Sequence, residues 1–140
     1  MCFCKTRQSK VLIAKRDIIV YKIGTDADRF SFIPYFIDSF MYKTGIKYRT
    51  SPNFKSDIIT KGFHGYINII IDTSNIPIFV VVRKNTKDRP TINIYTVQIN
   101  RSLYVGKFII PKGATYCTNN LNEVVSNKII YTGEYTLLQH

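Results

Sequence analysis

With 140 residues, 45% hydrophobic and 14% aromatic, the chain has material for one real core but not for two ordinary domains, which excludes a disordered protein. Twenty Lys and Arg stand against nine Asp and Glu, a formal net charge of +11 that attracts polyanions or acidic protein surfaces; solubility alone is the competing reading. No apolar run approaches the roughly 20 residues needed to cross a bilayer, and no apolar stretch of signal-peptide type follows the basic residues at the start.

Ile, Val, Thr, Tyr and Phe prevail over Ala, Leu and Glu, which favours pleated, half-buried surfaces. The expected fold is α+β and β-rich: a single domain with a twisted, mainly antiparallel sheet and one or two short helices, spanning residues 17–140. Residues 1–16 read as a basic N-terminal arm, because Lys5, Arg7, Lys10, Lys15 and Arg16 occur there with no acid among them. Asp17 to Ile23 is a β-branched strand with two apolar faces, which predicts a central position. Arg29 to Phe36 carries aromatics around Pro34 and reads as an edge or a pinned loop.

Asp38 to Lys43 reads as a short helical or irregular piece. Tyr42, Lys43, Lys47, Tyr48 and Arg49 then interleave aromatic and basic residues, a pattern shared by stacking surfaces for nucleic acid and by ordinary snorkelling surfaces. Gly62 and Gly65 bracket Phe63 and His64, implying close backbone approach. Tyr66 to Asp72 fits helix or strand equally. Ile78 to Arg83, Ile92 to Ile99 and Leu103 to Ile110 are expected to form an antiparallel meander, its first link being the polar loop Lys84 to Pro90. Pro111-Lys112-Gly113 is a turn. Asn119 to Val125 is expected to hold one helical turn, and Lys128 to Leu138 closes the fold as one bent strand or two short ones around Gly133.

Candidate chemistry is sparse. Cys2, Cys4, Cys117 and His64 would make a Cys3His zinc complement, but Cys-x-Cys is tighter than the usual structural spacing, so structural cysteines and no metal are expected. An odd number of cysteines makes no disulfide framework and suits a reducing compartment. His64 is the one internal histidine. The sequence has no Gly-x-Ser-x-Gly elbow, no Walker loop and no Gly-x-Gly-x-x-Gly.

The order of Asp-Ile-Ile-Val-Tyr-Lys at Asp17 to Lys22, Pro34-Tyr35, Gly62-Phe63-His64, and Phe-Ile-Ile-Pro-Lys-Gly-Ala-Thr-Tyr at Phe108 to Tyr116 resembles small uncharacterised proteins of gut bacteria and their phages. That resemblance implies a phage or mobile-element setting, in the host cytoplasm or within a phage particle. A more distant likeness is to the ADP-ribosyltransferase fold. There an early strand ends in a residue that clamps NAD, and a late Ile-Pro-x-Gly strand precedes a catalytic Glu. Lys22, His64 and Glu123 fall in that order and would be its catalytic residues, with NAD as cofactor. Lys22 stands where that family has Arg, no Ser-Thr-Ser follows Gly62, and Leu121 occupies the place of the companion acid or amide. Lysine lacks the bidentate fork that grips a pyrophosphate, so the likeness implies an inactive or repurposed site.

The functional expectation is a non-enzymatic accessory protein without cofactor. It would bind an acidic macromolecule, nucleic acid or protein, through Lys5, Arg7, Lys10, Lys15 and Arg16 on the arm and Arg83, Lys84, Lys87 and Arg89 around the polar loop. The alternatives are an NAD-dependent transferase using Lys22, His64 and Glu123, and a structural virion component.

Overall fold

The computed structural model describes the backbone of residues 3–34, 40–67, 69–72, 80–85, 91–96 and 103–138, and the side chains of 3–34, 40–67 and 104–137. Along these stretches run strands β1 (Phe3–Cys4), β2 (Val11–Ile13), β3 (Ile18–Ala27), β4 (Ser31–Pro34), β5 (Tyr42–Lys43), β6 (Lys47–Arg49), β7 (Ile58–Ile59) and β8 (Phe63–Tyr66). They continue with β9 (Ile69–Asp72), β10 (Val80–Asn85), β11 (Thr91–Thr96), β12 (Leu103–Ile110), β13 (Thr115–Thr118), β14 (Glu123–Ser126) and β15 (Lys128–Leu138). The described residues contain no helix, so the β-rich expectation is met and the expected short helices are not seen. No helix among them is long and apolar enough to cross a membrane.

The main sheet has the order β2-β13-β14-β8-β3-β12-β15-β6, with β4 paired to β3 and β5, and its named strand pairs are antiparallel. β3 is central, as its two apolar faces predict. Along one side it pairs with β12 from Ile18↔Ile110 to Gly24↔Tyr104. Along the other it meets β8 at Tyr21↔Tyr66 and then β4 from Gly24↔Pro34 onward. The neighbour on that side therefore changes at residues 22 and 23.

The core lies on the β3–β12–β15 face. Val20, Phe32, Tyr42, Phe108, Ile110, Ile129 and Tyr131 are all buried there. Phe32 meets Phe108 edge-on at 5.0 Å, and Tyr42 meets Phe108 edge-on at 5.1 Å, an arrangement that aligns ring quadrupoles as well as burying area. Phe32 sits against two glycines. A Cβ at Gly106 would come within 2.5 Å of its ring, and one at Gly24 would come equally close. These glycines are required by close approach. A smaller cluster, Phe3, Ile59, Cys117 and Val125 with Phe54 against it, joins the β1–β7 ribbon to β13 and β14.

Several expectations change. Within the basic first segment, Phe3–Cys4 and Val11–Ile13 are strands: β1 pairs with β7, β2 pairs with β13, and Phe3 and Ala14 are buried. Asn119 to Val125 holds no helical turn. The Asn119 Oδ1 accepts the N–H groups of Leu121 at 3.0 Å and Glu123 at 3.1 Å, and Asn122 adopts a left-handed φ of 58°, which stops a right-handed helix and starts β14. The meander breaks after its first hairpin. β10 and β11 pair antiparallel, but β11 then pairs parallel with β9, while β12 enters the main sheet between β3 and β15. Buried residues on both faces of β12, Val105 with Phe108 and Ile110, suit that interior position better than a hairpin edge.

Tyr66 to Asp72 resolves into strand at both ends. Pro111 to Ala114 is a turn closed by Ala114 N–H to Pro111 O at 3.0 Å, with Gly113 at a φ of 89°. Lys128 to Leu138 is one strand, kinked where the register of β12 jumps from Gly106↔Tyr135 to Phe108↔Tyr131 around Gly133. The Asp38 to Lys43 piece, expected to be helical or irregular, ends instead in strand β5 at Tyr42–Lys43, paired with β4; residues 38 and 39 lie outside the described residues.

Candidate functional site

Lys22, His64 and Glu123 lie on three adjacent strands, β3, β8 and β14. The row Tyr21↔Tyr66↔Glu123 runs straight across them. Directly paired residues share a face and neighbours along a strand alternate, so Glu123, Tyr66 and His64 lie on one face and Lys22 on the other. The Lys22 chain enters the aromatic core, its Nζ 5.4 Å from the centroid of Tyr42 and 5.9 Å from that of Phe108. All three residues are buried, with 5%, 5% and 6% of their surface exposed.

Their partners are local. The Lys22 ammonium donates to the backbone carbonyl of His64, where β8 has lost its β3 neighbour to β4. The imidazole does not take part in that bond; its Nε2 lies 3.0 Å from the carbonyl of Thr60. Glu123 Oε1 accepts from Asn119 Nδ2 at 2.9 Å, and the same amide donates to the Cys4 carbonyl at 3.0 Å. Burial pulls the Lys22 pKa down to about 7. His64 is held below its ordinary value, first by desolvation and also by the Lys22 charge, against the Thr60 carbonyl and the Glu123 carboxylate. Burial raises the Tyr66 phenol well above its usual range. The trio is thus brought together across three strands, but its functional groups face two sides of the sheet and each is engaged in satisfying the backbone or a turn.

Cys4 is exposed and Cys117 buried, both as free thiols. Among the described residues no group of three or more His, Cys, Asp or Glu is placed to hold a metal ion; Cys2 lies outside them.

The basic residues of the first segment form a different kind of site. Lys5 is partly buried and its ammonium donates to the carbonyl of Phe54. Arg7, Lys10, Lys15 and Arg16 are exposed. Between Lys10 and Lys15, β2 exposes Val11, Leu12 and Ile13 by 44%, 44% and 66%. Beside it runs a groove of about 350 Å³ lined by Leu12, Ile13, Lys15, Arg16, Ile18 and Tyr116. Sequence reasoning named the cations but missed the apolar triplet and Tyr116. The available signal was an aliphatic run inside a basic segment, which a solvated arm does not need. Arg83 and Lys84 lie on β10 opposite Asn93 and Ile92, their side chains outside the described residues along with Lys87 and Arg89.

Comparison of the chain with protein-family models, with curated proteins and with solved structures yields no significant match to any of them.

Proposed function

We propose that this protein is a non-enzymatic accessory protein that binds an acidic macromolecule through the cations of its first segment. The observation that supports this reading is the coincidence of a net charge of +11 with exposed Arg7, Lys10, Lys15 and Arg16 around a strand and an apolar groove. Lys10, Lys15 and Arg16 flank β2, which is anchored to β13, so their backbone has less freedom to lose on binding than that of a loose tail, and they attract an acidic partner over about a Debye length. Arg83, Lys84, Lys87 and Arg89 are proposed as further cations for the same partner. The phage or mobile-element setting, with action in the host cytoplasm or inside a particle, rests on the sequence resemblance.

The test is fluorescence anisotropy with two labelled probes, poly-glutamate and a single-stranded oligonucleotide, at salt concentrations between about 50 and about 300 mM. At least one probe is expected to bind at low salt and to weaken as salt rises. Absence of binding to both probes at low salt, or binding indifferent to salt, would sink the proposal.

A further inference from the structure

β2 ends the main sheet, and among the described residues its one strand partner is β13. Ala14, next along the chain, turns both backbone groups toward that side: its N–H donates to Ala114 O at 2.8 Å and its carbonyl accepts from Gly113 N–H at 2.8 Å. Backbone groups alternate in direction along a strand, so Leu12 faces β13 while the N–H and C=O groups of Val11 and Ile13 point outward. Sheet edges are normally blunted by charge, Pro or a bulge within the strand. Here the strand itself is three exposed aliphatic residues, and the charges, Lys10 at one end and Lys15 with Arg16 at the other, stand outside it.

We propose that the free edge of β2 accepts an extended segment of a partner protein as an added strand, apolar at its centre and acidic at both ends. This rests on the acidic-partner reading above and names the chemistry of the partner. The outward N–H and C=O groups of Val11 and Ile13 supply the ladder, the groove beside Leu12, Ile13, Ile18 and Tyr116 takes alternate apolar side chains, and the flanking cations meet the acids. Nucleic acid fits this edge less well. Aliphatic side chains give bases no stacking platform, and Tyr116 is the one aromatic ring in the groove. A second copy of the chain is disfavoured by charge, because an antiparallel edge-to-edge pairing brings Lys10 against Lys15 and Arg16.

The probe is a fluorescein-labelled peptide, Asp-Glu-Val-Thr-Val-Thr-Val-Glu-Asp, used alongside poly-glutamate, the oligonucleotide, and two versions of the peptide N-methylated on alternate backbone nitrogens. The parent peptide is expected to bind, with one methylated version weaker by roughly tenfold or more because its ladder donors are blocked. Ile13→Pro removes an outward N–H and leaves the β13 pairing alone. It is expected to weaken the peptide by a similar factor without changing the oligonucleotide or poly-glutamate result. As a readout independent of any variant, the amides of Val11 and Ile13 should exchange freely in the unliganded protein and slow when peptide is added. Undiminished binding by both methylated versions, or unchanged exchange at Val11 and Ile13, overturns strand addition. If poly-glutamate or the oligonucleotide binds and the peptide does not, the acidic-partner reading survives and this inference falls. If no probe binds, both fall.

Discussion

Lys22 is a cation placed where an apolar residue would pack more cheaply. Its ammonium is surrounded by Tyr42, Phe108 and a backbone carbonyl, so the charged form loses far more hydration than one hydrogen bond and two ring faces restore. With a folded pKa near 7 against an unfolded value near 10.4, the unfolded chain binds more protons between those limits, so stability rises with pH across that window and the charged form is a net cost below it. His64 adds in the same direction at lower pH, since a buried neutral imidazole is penalised once the unfolded ring takes up its proton below about 6.5. We therefore expect Lys22→Met to be more stable than wild type at pH ~6, by about 1 to 3 kcal/mol after the loss of the bond to the His64 carbonyl. That advantage should shrink or reverse near pH ~9.5, where the neutral amine still donates. Urea unfolding of both proteins at the two pH values measures the difference, and a gap independent of pH would refute the burial argument. The enzyme alternative takes Lys22, His64 and Glu123 from the order of motifs in a distant likeness; the three do fall on neighbouring strands, but which face each side chain takes depends on pairing register, which motif order does not carry.

At the scale of elements, two devices fix how strands meet. The first is the flat spot made by Gly24 and Gly106 for Phe32. In Gly106→Ala the new methyl would lie 2.5 Å from a ring held between other rings, so we expect a loss of about 2 to 3 kcal/mol. Phe32→Leu should cost less in that background than in wild type, because the pair shares one space. Thermal melting of the double-mutant cycle reads this coupling, and simple additivity would show that the contact is not what constrains Gly106. The second device is Asn119, whose side chain accepts from Leu121 and Glu123 and donates to Glu123 and Cys4. Asn119→Ala should cost on the order of 1 to 3 kcal/mol and should speed exchange of the Lys5 N–H, which donates to Asp57 O at 2.8 Å just after β1, relative to the core strands. If Lys5 exchange were unchanged, the Asn119 side chain would not be what ties β1 to the sheet. β-branched runs made β3 and β12 legible in the sequence, and Pro111 with Gly113 made the turn after β12 legible. β12's partners were not: pairing strands close in sequence is only a tendency, and here β12 is flanked by β3 and β15. The Asn119 turn was hidden because Asn stops a helix through a side-chain bond that composition does not reveal.

Over the whole molecule, a charge of +11 repels itself, so the cations concentrated on the first segment carry a cost in the free protein that an acidic partner removes. This separates residues kept for binding from residues kept for the fold. Arg7, Lys10, Lys15 and Arg16 are exposed, and surface changes of this kind ordinarily move stability by about half a kcal/mol or less each. Replacing all four by Gln should leave the melting temperature the same or slightly higher. If the oligonucleotide is the probe that binds, the slope of log K against log salt should fall by about 0.7 for each cation that had met a phosphate, hence by roughly 2 to 3 in total. An unchanged slope with weakened stability would assign these residues to the fold and move the acidic partner to the Arg83 to Arg89 region. An unchanged slope with unchanged stability would likewise place the phosphate contacts on other cations and leave these four with solubility alone.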